Sequence, residues 1–330
     1  MVYDILIIGA GPAGIAMAVE ARFAGIPDQR LLVLEKNAAP CWSIRAHYPE
    51  NKLVTANYKS YRNVVHSGVM RIADMSKSGS LAYFHDSINE NDINIRYGET
   101  VASISRDSGH FAIVTDKGEY RARVCVVAVG ILGKPNRPEY SIPRTVRGRV
   151  HFNGSSIAVA DSDILVVGGG DTAAERTAEL RQMGNRVTLS YRGSEFYRMT
   201  EENRRMIEGM EKTGEITVLR SSNIVSVERD GVKPKVVFVE TEYDWRIYDR
   251  IFYCLGGTAA VGFLKDTGVH FDNDRPVLDI HFETSLPGLF LAGDLTAGAI
   301  GGSINWAFAT ARRSMVYIAE KYLADVAAGA

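Results

Sequence analysis

The chain has 330 residues, of which 46% are hydrophobic and 23% are charged, and its formal net charge is −1. This length is sufficient for two domains, and the composition is that of a soluble globular protein. The charge argues against general nucleic-acid binding, and no apolar run approaches the roughly 18 residues that a membrane span needs.

The first predicted element is a buried strand at Ile5–Ile8, which runs directly into a glycine-rich turn, Gly9-x-Gly11-x-x-Gly14. In a dinucleotide-binding unit each of these glycines has a separate task. Gly9 makes the tight turn, Gly11 lets the backbone approach a pyrophosphate, and Gly14 lets the following helix pack against the strand. Because the strand starts so early, we expect no signal peptide and a cytoplasmic location.

The elements after the turn complete this pattern. A helix is predicted at about 13–24 and a second apolar strand at Leu31–Leu34, and Glu35 lies 21 residues after the last glycine (35 − 14). The helix N-terminus would face the phosphates of a dinucleotide, and Glu35 would accept hydrogen bonds from its ribose hydroxyls. The order of strand, glycine turn, helix, strand and acid predicts a dinucleotide site.

The middle of the first half is less regular. A helix is predicted at about 78–91, and the turns Asp107-Ser108-Gly109 and Asp116-Lys117-Gly118 then separate short alternating runs. Such turns between alternating strands predict a β-meander. Its predicted strands are Ile95–Tyr97, Thr100–Arg106, Phe111–Thr115 and Tyr120–Val129. Three prolines between 135 and 143 indicate a linker.

The same order of parts then recurs. The second set comprises a strand at Asp163–Val167, the turn Gly168-x-Gly170-x-x-Ala173, a helix at about 172–183 and a strand at Arg186–Ser190. A polar helix at about 200–213 and a second meander follow. The strands of that meander are predicted at Ile216–Leu219, Ile224–Arg229 and Val236–Glu240, and Ile251–Gly257 closes it. The two glycine turns lie 159 residues apart (168 − 9), so the chain is predicted to bind two dinucleotides.

The second site carries basic residues where many such sites carry an acid. Arg192 follows the strand at the position where NAD-binding units usually keep a carboxylate. A guanidinium there suits the 2′-phosphate of NADPH, and Arg198 is a second candidate for this contact. A solvated surface arginine is the alternative interpretation of Arg192.

A third feature lies near the end of the chain. The strand in Leu289–Asp294 leads to Gly293-Asp294, a glycine-rich turn and a helix predicted at Ile304–Leu323. An aspartate in this position can bind a ribityl chain, and the helix N-terminus can face the pyrimidine end of a flavin. A strand, turn and helix that only close the sheet are the alternative.

With these features the chain resembles the low-molecular-mass thioredoxin reductases and their relatives, flavoproteins whose FAD domain is interrupted by a pyridine-nucleotide domain. The implied fold is α/β, with two Rossmann-like three-layer dinucleotide-binding domains, the second inserted in the first, as in glutathione-reductase-like proteins. The resemblance places the FAD domain at 1–137 and 252–330, and the NAD(P)H domain at 138–251. It also implies a homodimer.

The resemblance further implies the cofactor contacts. For FAD they are Gly9, Gly11, Pro12, Ala13, Gly14, Glu35, Lys36, Tyr48, Val101, Gly130, Gly293, Asp294, Ser303 and Ile304. For NADPH they are Gly168, Gly170, Asp171, Thr172, Ala173, Arg192 and Arg198. No metal is expected, because the seven histidines show no metal-ligand spacing.

One departure from the family changes the expected reaction. Thioredoxin reductases carry Cys-x-x-Cys just before their second glycine turn, and this chain has no cysteine there. Relatives similar to bacillithiol disulfide reductase place a cysteine in the first turn, where this chain has Ala13. The chain is more similar to the ferredoxin–NADP and flavodoxin–NADP reductases of this fold, which share the stretch Tyr48-Pro49-Glu50-Asn51-Lys52.

This resemblance implies that hydride passes from NADPH to FAD and that electrons then leave to ferredoxin or flavodoxin. A quinone or a low-molecular-mass disulfide is the alternative acceptor. A non-catalytic FAD-binding redox sensor is the alternative from another class, although the intact second glycine turn and Arg192 argue against it.

Few side chains are candidates for a direct chemical role. Cys41 and His47 are the two candidates, but an idle thiol and a loop histidine without a role are the favoured interpretations. Cys125 and Cys254 lie in apolar strands and are expected in the core. Trp306 could pack near a flavin or fill the core. A further basic group, which could meet an acidic carrier protein, comprises Arg144, Arg147 and Arg149.

Overall fold

The computed structural model describes residues 1–48, 50, 53–57, 68–107, 109–130, 134–152, 157–258, 262–272, 275–297 and 302–324. The chain divides into two compact units, one formed by residues 1–133 and 259–330 and the other by residues 134–258. The inserted unit therefore begins four residues before the predicted boundary (138 − 134) and ends seven residues after it (258 − 251). It ends later because the strand that includes residues 251–253 pairs inside the inserted unit's own sheet.

The chain forms 21 strands and seven helices in the described ranges. The strands are β1 Val2–Ile8, β2 Leu31–Glu35, β3 Leu53–Val54, β4 Met75–Ser76, β5 Ile95–Tyr97, β6 Val101–Asp107, β7 His110–Thr115, β8 Glu119–Val127, β9 Lys134–Pro135, β10 Val150–Phe152, β11 Asp163–Val167, β12 Arg186–Ser190, β13 Thr217–Leu219, β14 Ile224–Asp230, β15 Lys233–Phe238, β16 Trp245–Ile247, β17 Arg250–Tyr253, β18 Gly257–Thr258, β19 Phe271–Asp272, β20 Arg275–Pro276 and β21 Leu289–Leu291. The helices are α1 Pro12–Phe23, α2 Trp42–His47, α3 Lys77–Glu90, α4 Asp171–Gln182, α5 Glu201–Lys212, α6 Gly262–Lys265 and α7 Ile304–Tyr322, with 3₁₀ turns at Asp28–Arg30, Arg144–Arg149 and Gly293–Thr296.

The main sheet of the first unit has the order β5-β2-β1-β8-β7-β6, with β21 beside β8. Strands β5, β2, β1, β8 and β21 are parallel, so their carboxyl ends lie at one edge. The predicted four-strand meander is wrong in one strand, because β5 pairs in parallel with β2 and only β6, β7 and β8 are antiparallel. Helix α3 supplies the crossover that a parallel neighbour requires.

The inserted unit repeats this plan with a five-stranded parallel sheet, β10-β17-β11-β12-β13, and a separate antiparallel sheet, β14-β15-β16. The strand predicted at Ile216–Leu219 belongs to the parallel sheet as β13, at its edge beside β12. The third strand of the meander is instead β16, which the sequence did not indicate. Again a helix, α5, makes the crossover between β12 and β13.

Both faces of each parallel sheet are buried. In β1, Ile5 and Ile7 pack with α1, α3 and α7, whereas Leu6 and Ile8 pack on the opposite face with apolar side chains of β6 and β7. In the inserted unit, strand residues that pack on the helices alternate in the same way with strand residues that pack on the antiparallel sheet. None of the helices in the described ranges is long and apolar enough to cross a membrane.

Candidate functional site

Two of the first three motif glycines are required by the packing of the turn itself. Gly9 has a φ of +106°, and a Cβ on it would lie 2.6 Å from the carbonyl oxygen of Ala128, just after β8. A Cβ on Gly14 would collide with the carbonyl oxygen of Gly9. These two glycines therefore let α1 begin directly against the carboxyl ends of β1 and β8.

Gly11 differs from its neighbours, because nothing lies within 4 Å of the position that its Cβ would take. It is the N-cap of α1, and a glycine has no side chain with which to cap the first N–H groups. Open space next to a helix N-terminus is suited to a diphosphate. This cradle, which any side chain at position 11 would enter, fits the predicted FAD pyrophosphate.

Glu35 ends β2 and is buried beside the same turn. One carboxylate oxygen, Oε2, accepts a hydrogen bond from the backbone N–H of Ala10 (2.9 Å). The other, Oε1, accepts from the backbone N–H (2.8 Å) and the side-chain amide (2.7 Å) of Asn37. A carboxylate has about four lone-pair sites, so a ribose hydroxyl can still donate to Oε2. Asn37 was not predicted, although an asparagine two residues after a strand-ending acid is a typical local partner.

The segment after β21 lies against the start of α1. Gly293 has a φ of +71°, and a Cβ on it would lie 2.7 Å from the Cβ of Ala13. The Gly293 N–H donates to the Oγ1 of Thr310 in α7 (3.0 Å), a contact that sequence patterns do not reveal. The structure therefore brings together the predicted residues Ala13, Gly293 and Asp294.

Asp294 is the acid in this group that remains available to a ligand. A Cβ on Gly302 would collide with its Oδ1, so glycine is needed beside the carboxylate. Burial raises the pKa of the Asp294 carboxyl, and no donor in the described ranges offsets that burial. A ribityl hydroxyl that donates to this carboxylate fits the site.

Helix α7 begins next to Gly302. Its N-cap is Ser303, whose hydroxyl accepts from the N–H of Trp306 (3.0 Å). Trp306 donates its indole N–H to the Oγ1 of Thr296 (2.9 Å), and Asn305 donates its backbone N–H to the carbonyl of Ala56 (3.0 Å). These bonds fix the helix N-terminus, including the predicted contact Ile304, beside the 3₁₀ turn that carries Asp294.

Five further predicted FAD contacts remain, and the first of them, Pro12, begins α1. Gly130 follows β8 with a φ of +66°, and Val101 begins β6, two residues after Glu99, whose N–H donates to the carbonyl of Glu35 (3.0 Å). Lys36 is exposed after β2. Tyr48 is half-buried, and its carbonyl accepts from the Nζ of Lys77 (2.8 Å). Outside the described part of the structure lie Pro49, Asn51, Lys52 and the side chain of His47.

Cys41 is close to this site but buried. Its backbone N–H donates to the carbonyl of Ala10 (2.8 Å), and its φ of +53° is in the left-handed region. Burial strongly raises the pKa of its thiol, and burial does the same for the pKa of Cys125. Cys254 is buried as well, and none of the three cysteines, all in the described ranges, forms a disulfide. Cys41 is therefore a protonated, shielded thiol at neutral pH.

We expect Cys41→Ser to keep its FAD and most of its NADPH-dependent reduction of ferricyanide. The thiolate that a redox role requires is suppressed by burial, so its loss should leave the electron path intact. Placing a hydroxyl in the buried site should cost about 1–3 kcal/mol of stability, measured as a lower midpoint of urea unfolding. Loss of turnover with FAD still bound would instead indicate a thiol mechanism.

In the second glycine turn, as in the first, one glycine is required by packing and another leaves open space at a helix N-terminus. Gly168 has a φ of +151°, and a Cβ on it would collide with the carbonyl oxygen of Cys254 after β17. Gly170 is the N-cap of α4, with nothing within 4 Å of its Cβ position. Ala173 is buried, and its N–H donates to the carbonyl of Gly170 (3.0 Å). The exposed Thr172 lies in the first turn of the helix. A second diphosphate can approach Gly170.

The loop after β12 returns to this turn. Arg192 and Arg198 are both exposed, and the backbone of Arg198 forms a β-bridge with Gly170. Asp171 organises this return, because its Oδ1 accepts from the N–H of Thr200 (2.6 Å), the hydroxyl of Thr200 (2.9 Å) and the side-chain amide of Asn203 (2.9 Å). The structure therefore supports a positioning role for Asp171 and brings both predicted arginines to one loop.

Known proteins are similar to this chain in sequence and in fold. The model of the pyridine nucleotide-disulphide oxidoreductase family matches residues 6–293. A ferredoxin–NADP reductase from Ignicoccus hospitalis is 26% identical over 298 residues, which cover 89% of this chain and 90% of that protein. The structure of a bacillithiol disulfide reductase from Staphylococcus aureus is similar with a TM-score of 0.82 and 21% identity, over 97% of this chain and 99% of the other. A thioredoxin reductase from T. acidophilum has a TM-score of 0.76 and 22% identity, over 96% and 98%. The predicted fold class is confirmed.

Proposed function

The chain belongs to the pyridine nucleotide-disulphide oxidoreductase family, and we propose that it is an NADPH-dependent flavoprotein oxidoreductase that passes electrons to ferredoxin or flavodoxin. Membership of the family confirms the predicted relationship and makes the chain a pyridine-nucleotide oxidoreductase. The similarity to ferredoxin–NADP reductases supports the choice of acceptor.

The residues of the first unit would bind FAD and those of the inserted unit NADPH. In the first unit, the open space at Gly11 would take the pyrophosphate, Glu35 a ribose and Asp294 the ribityl chain. In the inserted unit, Gly170 would take the second pyrophosphate, with Arg192 beside the adenosine. Bound FAD supplies a ring that accepts hydride from NADPH and releases electrons singly. The task of the protein is to bind and orient the two cofactors.

The absence of a usable dithiol is the observation that carries this proposal. The sequence has three cysteines, and all of them are buried, outside any disulfide and far apart along the chain. Reduction of a protein disulfide in this family would need a pair of thiols in the chain, which these cysteines do not form. Electrons must therefore leave directly from the flavin, which suits one-electron carriers.

Basic side chains for an acidic carrier are present on the inserted unit. Arg144 and Arg147 are exposed on the 3₁₀ turn Arg144–Arg149. Arg149 is half-buried, and its Nη1 donates to the carbonyl of Asp249 (3.4 Å). Carriers of this kind are usually acidic, so the two exposed arginines would attract them through complementary charge.

We expect reduced enzyme to be reoxidised by ferredoxin or flavodoxin in anaerobic stopped-flow mixing, with a rate that falls from low to physiological salt. The double variant Arg144→Glu/Arg147→Glu should lower that rate about tenfold at low salt. The matched control is Arg205→Glu/Lys212→Glu on α5, which makes the same charge change at exposed positions and should have little effect.

Other outcomes would identify the alternatives. If neither carrier reoxidises the flavin while a quinone does so rapidly, the protein is a quinone reductase. Reoxidation by a small disulfide would indicate a disulfide reductase. A bound flavin that NADPH leaves oxidised would indicate a redox sensor.

A further inference from the structure

Tyr191, the first residue after β12, lies between two glycines of the inserted unit. A Cβ on Gly169 would collide with the Cδ2–Cε2 side of its ring. A Cβ on Gly193 would lie 2.7 Å from its Cε1 and 2.9 Å from its Cζ. Neither position can carry a side chain while the ring stays in place, so the ring and the two glycines form one packing unit.

The ring is held firmly in this position. It is buried and stacks on Phe196, with ring centroids 5.2 Å apart and an angle of 20° between the planes. The Tyr191 N–H donates to the carbonyl of Leu219 (2.9 Å), and its carbonyl accepts from the N–H of Ser222 (3.1 Å). A ring fixed from both backbone and side chain presents its hydroxyl in a defined direction.

The hydroxyl of Tyr191 lies beside the loop that carries both arginines, because a Cβ on Gly193 would be 3.1 Å from its oxygen. Burial raises the pKa of this phenol, and so does a hydrogen bond with Tyr197, whereas the charges of Arg198 and Arg192 act in the opposite direction. The raised pKa keeps the hydroxyl protonated at neutral pH. It is therefore a neutral hydrogen-bond donor. The Tyr197 hydroxyl accepts its one proton in the protein alone, and a phosphate oxygen would take that proton because a charged oxygen is the stronger acceptor. The backbone of Arg198 in the same loop pairs with Gly170.

We propose that Tyr191 is a specificity-determining residue of the dinucleotide site, where its hydroxyl donates to the 2′-phosphate of NADPH beside Arg192 and Arg198. This inference rests on the proposed function, because it requires that NADPH binds to the inserted unit. A phosphate monoester has three terminal oxygens, which two cations and one neutral donor can share. A third cationic side chain has no room at position 193, because the ring of Tyr191 occupies the space next to Gly193.

Tyr191→Phe tests the hydroxyl and keeps the ring. We expect calorimetric titration of the FAD-loaded protein to show about tenfold weaker binding of both NADP⁺ and 2′,5′-ADP, with NAD⁺ affinity unchanged. Tyr197→Phe, at an exposed neighbour, is the matched control and should change the NADP⁺ affinity less. Equal weakening of NADP⁺ and NAD⁺ by Tyr191→Phe, or no weakening of either, would overturn the inference.

A second experiment tests the ring. Gly193→Ala should weaken 2′,5′-ADP binding about tenfold in the natural background, where the new methyl group displaces Tyr191, and much less in the Tyr191→Ala background. Additive effects would overturn the packing argument. The natural protein separates the two proposals. If it binds NADP⁺ no better than NAD⁺, the preference for NADPH fails. If the preference is present and Tyr191→Phe leaves it undiminished, only the role of Tyr191 is removed.

Discussion

Gly11→Val is expected to give a folded protein without bound FAD. The structure places nothing within 4 Å of the new Cβ, so the valine should not disturb the fold. It would instead occupy the space at the N-terminus of α1 that the pyrophosphate needs. Flavin absorbance after purification measures occupancy, and circular dichroism measures the fold.

Two other glycine variants make this prediction specific. Gly118→Val, in the turn between β7 and β8 of the same unit, also meets nothing within 4 Å and should keep its FAD. Gly14→Val should fail to fold, because its Cβ would collide with the carbonyl of Gly9. Full FAD occupancy in Gly11→Val would contradict the proposed function at its first step.

The parts of the fold that the sequence predicts well are those with strong local signals. The bounds of β5, β11 and β12 agree with prediction to the residue, and α1, α3, α4 and α5 agree to within one residue at each end. In β11 and β12, an apolar run ends at a glycine or a polar turn, so the boundary is present in the local chemistry. The repeated glycine turn also predicts both sheet edges at which the site residues meet.

The missing parts depend on contacts made only after folding. Helix α2 has six residues and begins after Cys41 in the left-handed region, so it has neither the length nor the cap that predicts a helix. The parallel pairing of β5 with β2 follows from the crossover through α3 rather than from its own sequence. Likewise, the position of Tyr191 between Gly169 and Gly193 joins two separate turns, which no local pattern records.

Arg192→Ala is expected to raise the Michaelis constant for NADPH about tenfold and to leave that for NADH almost unchanged. A hydrogen bond to a charged group typically contributes about 1.5–3 kcal/mol, or roughly ten- to more than a hundredfold in affinity. Arg192 is exposed, so solvent and salt screen the pair and the lower end of this range applies. Steady-state kinetics with ferricyanide as acceptor measures both constants.

The salt dependence separates a phosphate contact from a general loss of structure. In the natural protein the preference for NADPH should shrink as ionic strength rises, because added ions screen the guanidinium and the 2′-phosphate. In Arg192→Ala most of that dependence should disappear, while Arg205→Ala, an exposed arginine on α5 that pairs with Glu201, should behave like the natural protein. If Arg192→Ala instead raises both Michaelis constants equally, Arg192 supports the loop and does not read the phosphate. The preference would then have to come from Tyr191 and from Arg198, whose backbone already pairs with Gly170.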